Sequence, residues 1–181
     1  MKLAWVDIET TGLDPFKDGI LELVVAEADL LDPFNVKVVH QSVMWCHPEV
    51  VKNFDPFIVN MHTKNGLFKE CAKETARDLF ESENELLDLF PQADKKEDLL
   101  ILAGSSVHFD HEFIKVHMPK FNKRLSHRHY DVSALKLFCQ SQGMPTFAKA
   151  EAHRALDDIL ESIQHAKECR EWLRLNLIQT S

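Results

Sequence analysis

The chain has 181 residues, 45% of them hydrophobic and 28% charged, with 5 Gly and 7 Pro. That balance suits one globular domain over residues 1–181 and excludes disordered, collagen-like and low-complexity classes. Its 29 acids against 21 Lys and Arg give a net charge of −8, which disfavours tracking of long duplex nucleic acid, whose affinity comes largely from phosphate neutralisation. A short anionic substrate bridged by metal ions remains compatible. No apolar run approaches the ~20 residues of a membrane span, and Asp7 interrupts the start too early for a signal peptide. The expectation is a cytoplasmic protein with no membrane association, in which the widely spaced Cys46, Cys71, Cys139 and Cys169 are free thiols.

Residues 2–9 alternate in polarity and close on Thr10-Thr11-Gly12-Leu13-Asp14-Pro15, which predicts a strand. An apolar stretch over 20–31 ends at Asp32-Pro33-Phe34-Asn35, and a further strand over 36–45 completes an antiparallel hairpin. The pattern is helical from 56 to 90, with Leu86, Leu87 and Phe90 facing the core and Pro91 as the stop. Lys95, Lys96, Glu97 and Asp98 mark a solvated loop, and residues 99–104 read as a buried strand. Helices are expected over 109–117, 133–142 and 154–174, with Trp172, Leu173, Leu175, Leu177 and Ile178 packing near the end. Strands first, then strand–helix alternation, predict a layered α/β domain with a mixed sheet flanked by helices.

The sharpest chemical feature lies on the first strand. Asp7 and Glu9 are two apart, so both carboxylates point to one face, the face of Leu3 and Trp5. Two carboxylates about 4 Å apart repel by roughly 4 kcal/mol at an effective dielectric of 20, so protonation, a basic partner or a cation must compensate. Asp110 follows the 99–104 strand, at the kind of strand end where open α/β sheets build sites. His153-Arg154-Ala155-Leu156-Asp157-Asp158 then leads into the last helix. On an ideal helix i and i+4 diverge by about 40° and i and i+5 by about 140°. Pure helix geometry therefore pairs His153 with Asp157, and Asp158 qualifies only if His153 stands outside the regular helix. Several carboxylates with one histidine suit hard divalent cations, Mg²⁺ or Mn²⁺, in a two-ion phosphoryl-transfer site with the histidine as base.

In order and spacing, Asp7-Ile8-Glu9-Thr10-Thr11-Gly12-Leu13-Asp14-Pro15, then Asp110, then His153 through Asp158, resembles the DEDDh exonuclease superfamily, whose fold is ribonuclease H-like. The resemblance implies Asp7, Glu9, Asp110 and Asp158 as metal-binding acids and His153 as general base, choosing Asp158 over Asp157. Within the superfamily, Met61-His62-Thr63-Lys64-Asn65-Gly66-Leu67 and Arg128-His129-Tyr130-Asp131-Val132-Ser133-Ala134-Leu135-Lys136 are similar to segments of the oligoribonucleases. These are homodimers that degrade very short RNA, two to five nucleotides and dinucleotides above all, from the 3′ end. Carried onto this chain, Leu13 wedges between two bases and His62 lines the pocket. Ser106, Ser133 and Arg128 cap the 5′ phosphate, Arg128 from across the dimer.

The departures from the family are Ser105 for an Asn, Phe57 for a Trp and His127 for a substrate-contacting Tyr. They bear on how strictly dinucleotides are preferred. A general 3′-to-5′ exonuclease on longer single-stranded DNA or RNA is the alternative, and a non-catalytic nucleic-acid-binding module ranks last because all four acids and the histidine are present. His108, His111 and His117 are expected on a solvated helix face, and the Pro145-Thr146-Phe147 loop could gate the site.

Overall fold

The computed structural model describes residues 1–146 and 153–177, so Phe147 and Ile178 lie outside the described residues. Strands β1 (Lys2–Thr10), β2 (Ile20–Asp29), β3 (Asp32–Val43), β4 (Leu100–Gly104) and β5 (Leu125–Asp131) form one sheet in the order β3-β2-β1-β4-β5. The first three are antiparallel neighbours, whereas β4 runs parallel to β1 and β5 parallel to β4. Helices are α1 (Pro48–Val51), α2 (Pro56–Lys64), α3 (Leu67–Cys71), α4 (Leu79–Leu89), α5 (His108–His117), α6 (Pro119–Asn122), α7 (Val132–Ser141) and α8 (Ala155–Leu177).

The alternation of β1 sorts its residues between two cores. Ala4, Val6 and Ile8 join Leu86, Phe113, Ile114 and Phe121 beneath α4, α5 and α6. Leu3 and Trp5 join Val132, Ala155, Ile159, Ile163 and Ala166 beneath α7 and α8. Helices therefore cover both faces of the sheet, the three-layer arrangement expected from the strand–helix order. Asp7 and Glu9 continue the α8 side of β1 beyond Trp5, where that core stops. At the end of β4, a Cβ on Gly104 would lie 2.9 Å from the Val6 carbonyl oxygen. Only glycine lets the backbones approach so closely just ahead of the segment carrying Asp110.

Several expected boundaries differ. The β2–β3 turn is Leu30-Leu31, not Asp32-Pro33-Phe34-Asn35, because Asp29 pairs with Asp32 and its carboxylate accepts the Leu31 N–H at 2.9 Å. Pro33 is tolerated because β3 is an edge strand. The helical region 56–90 is three helices. Gly66, at φ +82°, ends the run after α2, and the chain between α3 and α4 returns to the sheet, where Arg77 bridges to Met44. Strand β5 escaped the periodicity because Ser126, His127, Arg128 and His129 are polar in succession; at the sheet edge, residues 127–129 are exposed. The 95–98 loop includes a single 3₁₀ turn, Lys96–Asp98. Two short helices, α1 and α6, went unforeseen, and each starts at a proline.

Leu175 is 54% exposed rather than packed, and with Trp172 it lines a cleft between α8 and Met144-Pro145-Thr146. His111 and His117 are half-buried rather than solvated. His111 pairs with Asn122 and His129, and His117 Nε2 donates to the Pro15 carbonyl oxygen at 2.8 Å. His108 is exposed as expected. Among the described residues, no helix is long and apolar enough to cross a membrane.

Candidate active site

Three chain segments supply one acidic cluster. Asp7 and Glu9 come from the end of β1 and Asp158 from the first turn of α8, and one oxygen from each lies within 4.8 Å of the others. Asp110, in the first turn of α5, joins from the β4 side, its Oδ1 accepting the Ile8 N–H at 3.0 Å. That bond ties the second motif to the first strand between its two acids. Asp157 is exposed on α8, away from the cluster.

Burial and mutual repulsion govern the charges here. The Asp7 carboxyl is raised well above the ordinary carboxylate range, first by burial and then by Asp110, Asp158, Glu9 and Glu22. Burial pushes Glu9 up to about 8, with Asp158 and Glu22 adding to it and Arg154 opposing. Asp110 is also held at about 8, mainly by burial, against the N–H donors that favour its ionised form. Without a cation these carboxyls cannot all ionise at neutral pH. An all-oxygen set of this kind fits hard divalent cations, which would remove the repulsion.

His153 stands two residues ahead of α8, with φ 47° in the left-handed region. Being outside the regular helix, it escapes the i, i+4 constraint that paired it with Asp157. Its carbonyl oxygen accepts a 2.5 Å hydrogen bond from Asn65 Nδ2. Beside it, the Arg154 guanidinium holds Glu22 with two bonds of 2.9 Å and reaches Glu70 Oε2 at 2.9 Å. Glu22 is 1% exposed, lies opposite Glu9 on β2, and accepts the Ala155 N–H that opens α8 at 3.2 Å.

The sequence alone assigns no role to Glu22, Arg154, Glu70 or Asn65. For Glu22 a signal existed: it is the lone acid in the apolar stretch Ile20–Ala26. Asn65 and Glu70 carried none, because each meets its partner across more than 80 residues.

The expected substrate residues divide. Leu13 is 78% exposed on the β1–β2 loop, near in sequence to none of the others; Phe57, the departure from a family Trp, is exposed at the start of α2. Ser106 and Ser133 come together at the carboxyl ends of β4 and β5. Their hydroxyls are 3.1 Å apart, and Asp131 accepts the backbone N–H of both. His62, expected to line the pocket, is fully buried instead. Its Nε2 donates to the Thr10 carbonyl oxygen at 3.2 Å and lies 3.8 Å from Glu9 Oε2, so it backs the acid rather than facing solvent. Burial lowers its pKa, keeping the ring neutral.

Arg128 is exposed on edge strand β5, one residue before His129, which aligns through Leu102 with Ala4. At ~3.3 Å per residue it sits about 13 Å down the sheet from Asp7 and two strands away. Its own chain does not bring it to the cluster.

Residues 4–165 match the exonuclease (RNase T) family. The chain is 36% identical over 170 residues to the mitochondrial oligoribonuclease of Mus musculus, covering 90% of this chain and 69% of the relative. It is 34% identical over 180 residues to the oligoribonuclease of Corynebacterium diphtheriae, covering 95% and 83%. For the Neisseria meningitidis oligoribonuclease the figures are 33% over 176 residues, 93% and 90%.

Exonuclease I from Methylocaldum szegediense superposes at TM-score 0.66 with 18% identity, over 97% of this chain and 40% of that one. Escherichia coli exonuclease I in complex with a dT13 oligonucleotide gives 0.65 and 16%, over 98% and 43%. These two show the shared ribonuclease H-like fold, and this chain spans about two fifths of their length.

Proposed function

The chain belongs to the oligoribonucleases of the exonuclease (RNase T) family, and we propose that it is a 3′-to-5′ exoribonuclease that hydrolyses very short RNA, dinucleotides above all, to 5′-mononucleotides. The carrying observation is the cluster of Asp7, Glu9 and Asp158 with Asp110 at its flank, assembled from three separated segments at the end of the sheet. In this reading the four carboxylates hold two divalent cations, Mg²⁺ or Mn²⁺. When bound, the ions lower the pKa of water and offset charge on the attacked phosphate and the leaving oxygen.

The protein's own groups do the rest. His153, ahead of the helix, takes the proton of the attacking water, an effect typically worth about 10²–10⁴ in rate. Leu13 separates the two bases, and Ser106 and Ser133 offer paired hydroxyls to the 5′ phosphate. Arg128 reaches that phosphate from a second copy of the chain, which makes the working enzyme a homodimer. Its planar fork of donors suits a phosphate better than a point charge does. A capped 5′ end admits two nucleotides and hinders long strands, and the surplus of acids over bases supports the same preference. The four free cysteines suit a reducing compartment such as the cytoplasm.

The test is a time course with Mn²⁺ on 5′-labelled RNA of two, five and twenty nucleotides. The dinucleotide is expected to disappear far faster than the others. A twenty-mer shortening into a ladder at a comparable rate would show an open cap, and with it the alternative of a general exonuclease.

A further inference from the structure

His153 holds a backbone conformation that a residue with a Cβ keeps only when its surroundings over-determine it. A side chain at the end of α2 contributes directly to that restraint. Asn65 Nδ2 donates to the His153 carbonyl oxygen at 2.5 Å, while Asn65 Oδ1 accepts the Leu67 N–H at 3.0 Å. A backbone N–H can only donate and a carbonyl oxygen can only accept, so the two partners fix which end of the amide faces which. Asn65 is itself anchored as the C-cap of α2, its N–H bonded to the Met61 carbonyl oxygen at 3.1 Å. Three residues earlier on the same helix face, His62 lies 3.8 Å from Glu9 Oε2. One face of α2 therefore touches both a carboxylate of the acidic cluster and the main chain of the histidine beside it.

We infer that Asn65 is the positioning residue of this site, latching α2 to the His153 backbone and so fixing where the general base stands. The inference rests on the reading of His153 as general base and adds what sets its geometry. Outer groups that orient a site typically carry about 10- to 100-fold in activity. Asn65 acts on the main chain of His153, so the substrate and the acids keep their own contacts when it is changed.

The experiment is a double-mutant cycle between Asn65→Asp and His153→Ala, read as kcat and KM on a dinucleotide with Mn²⁺, with a melting curve for each variant. Asn65→Asp keeps the size and the acceptor for Leu67 but loses the donor and sets a carboxylate oxygen against a carbonyl. Alone it is expected to lower kcat about 10- to 100-fold with KM and melting temperature nearly unchanged. In the His153→Ala background it is expected to cost less than about twofold, since the group it positions is gone.

An equal loss in both backgrounds, or no loss in the wild-type background, would overturn the inference. Asn65→Ala, which adds no charge, is read the same way if the Asp variant folds poorly. Near-normal turnover of His153→Ala by itself would instead remove the general-base reading, and that arm is measured independently of Asn65.

Discussion

Arg154 and Glu22 meet fork to fork, Nε to Oε2 and Nη2 to Oε1, each at 2.9 Å, directly behind the acid that Glu22 faces across the β1–β2 ladder. Glu22 is 1% exposed, so this guanidinium is what makes a buried fifth carboxylate tolerable beside Asp7 and Glu9. Removing one partner of a buried pair typically costs about 3–5 kcal/mol, because the other charge is left uncompensated. Arg154→Met should therefore destabilise the protein by that order in urea unfolding. Arg154→Lys should recover only part, because an ammonium cannot span Glu22 and Glu70 with a planar fork. An unchanged unfolding midpoint for Arg154→Met would show that Glu22 does not depend on it.

The acidic cluster links stability to pH and to divalent ions. Glu9 and Asp110 titrate at about 8 when folded, against about 4 for unfolded carboxyls. Between those values the folded, metal-free chain holds more protons than the unfolded one, so this contribution to stability falls as pH rises from about 4 to 8. His40 and His62, whose pKa values burial lowers, act the other way: their contribution is present above about 6.5 and is lost as pH falls through their folded values.

Mg²⁺ or Mn²⁺ at a hundredfold excess over the dissociation constant should raise stability by about 2.7 kcal/mol. At one fixed ion concentration the increment should grow with pH, because ions bind the deprotonated acids and the dissociation constant falls as they ionise. Melting curves with EDTA and with each ion, at several pH values from about 5 to 8, test both points. An increment that is absent, or the same at every pH, would count against the cluster as the ion site.

Neighbouring aspartates on α8 should behave oppositely. Asp158 contributes an oxygen to the cluster, whereas Asp157 is exposed. Asp158→Asn should abolish measurable dinucleotide hydrolysis and the ion-dependent rise in melting temperature. Asp157→Asn should change stability by no more than about 0.5 kcal/mol, as exposed substitutions usually do, and leave turnover within twofold. Loss of activity in the Asp157 variant would mean that the first turn of α8 is arranged differently around the ions.

The contrast between those two aspartates shows what could be read from the chain. Alternation along residues 2–9 put Asp7 and Glu9 on one face and Leu3 and Trp5 beneath them, and the sheet keeps that arrangement. Helical periodicity alone favoured Asp157, and it failed because His153 leaves the helix in a left-handed turn that no local pattern encodes. Strand β5 was hidden for a related reason: an exposed edge strand needs no apolar alternation, so its polar residues carry no period. For His62 the resemblance of its segment to the family implies a place lining the substrate pocket. Its burial follows from Phe68 and Glu9 packing around it, contacts separated by 6 and 53 positions. Residues whose role depends on a distant partner, such as Asn65 and Glu70, have no local signature at all.

Arg128 supplies the sharpest test of assembly. It lies down the sheet from its own acidic cluster, so a role at the 5′ phosphate requires a second copy of the chain. Charged hydrogen bonds contribute about 1.5–3 kcal/mol, so Arg128→Ala should raise KM for a 5′-phosphorylated dinucleotide about 10- to 100-fold. The same dinucleotide with a 5′ hydroxyl should be little affected. Mixing Arg128→Ala chains with Asp7→Asn chains should then restore low-KM turnover. In a mixed dimer, the Arg128→Ala subunit keeps an intact acidic cluster and receives its arginine from the other subunit. Each variant alone should lack that activity. If mixing under subunit exchange restores nothing while Arg128→Ala still raises KM only for the 5′-phosphorylated dinucleotide, the arginine acts within its own chain.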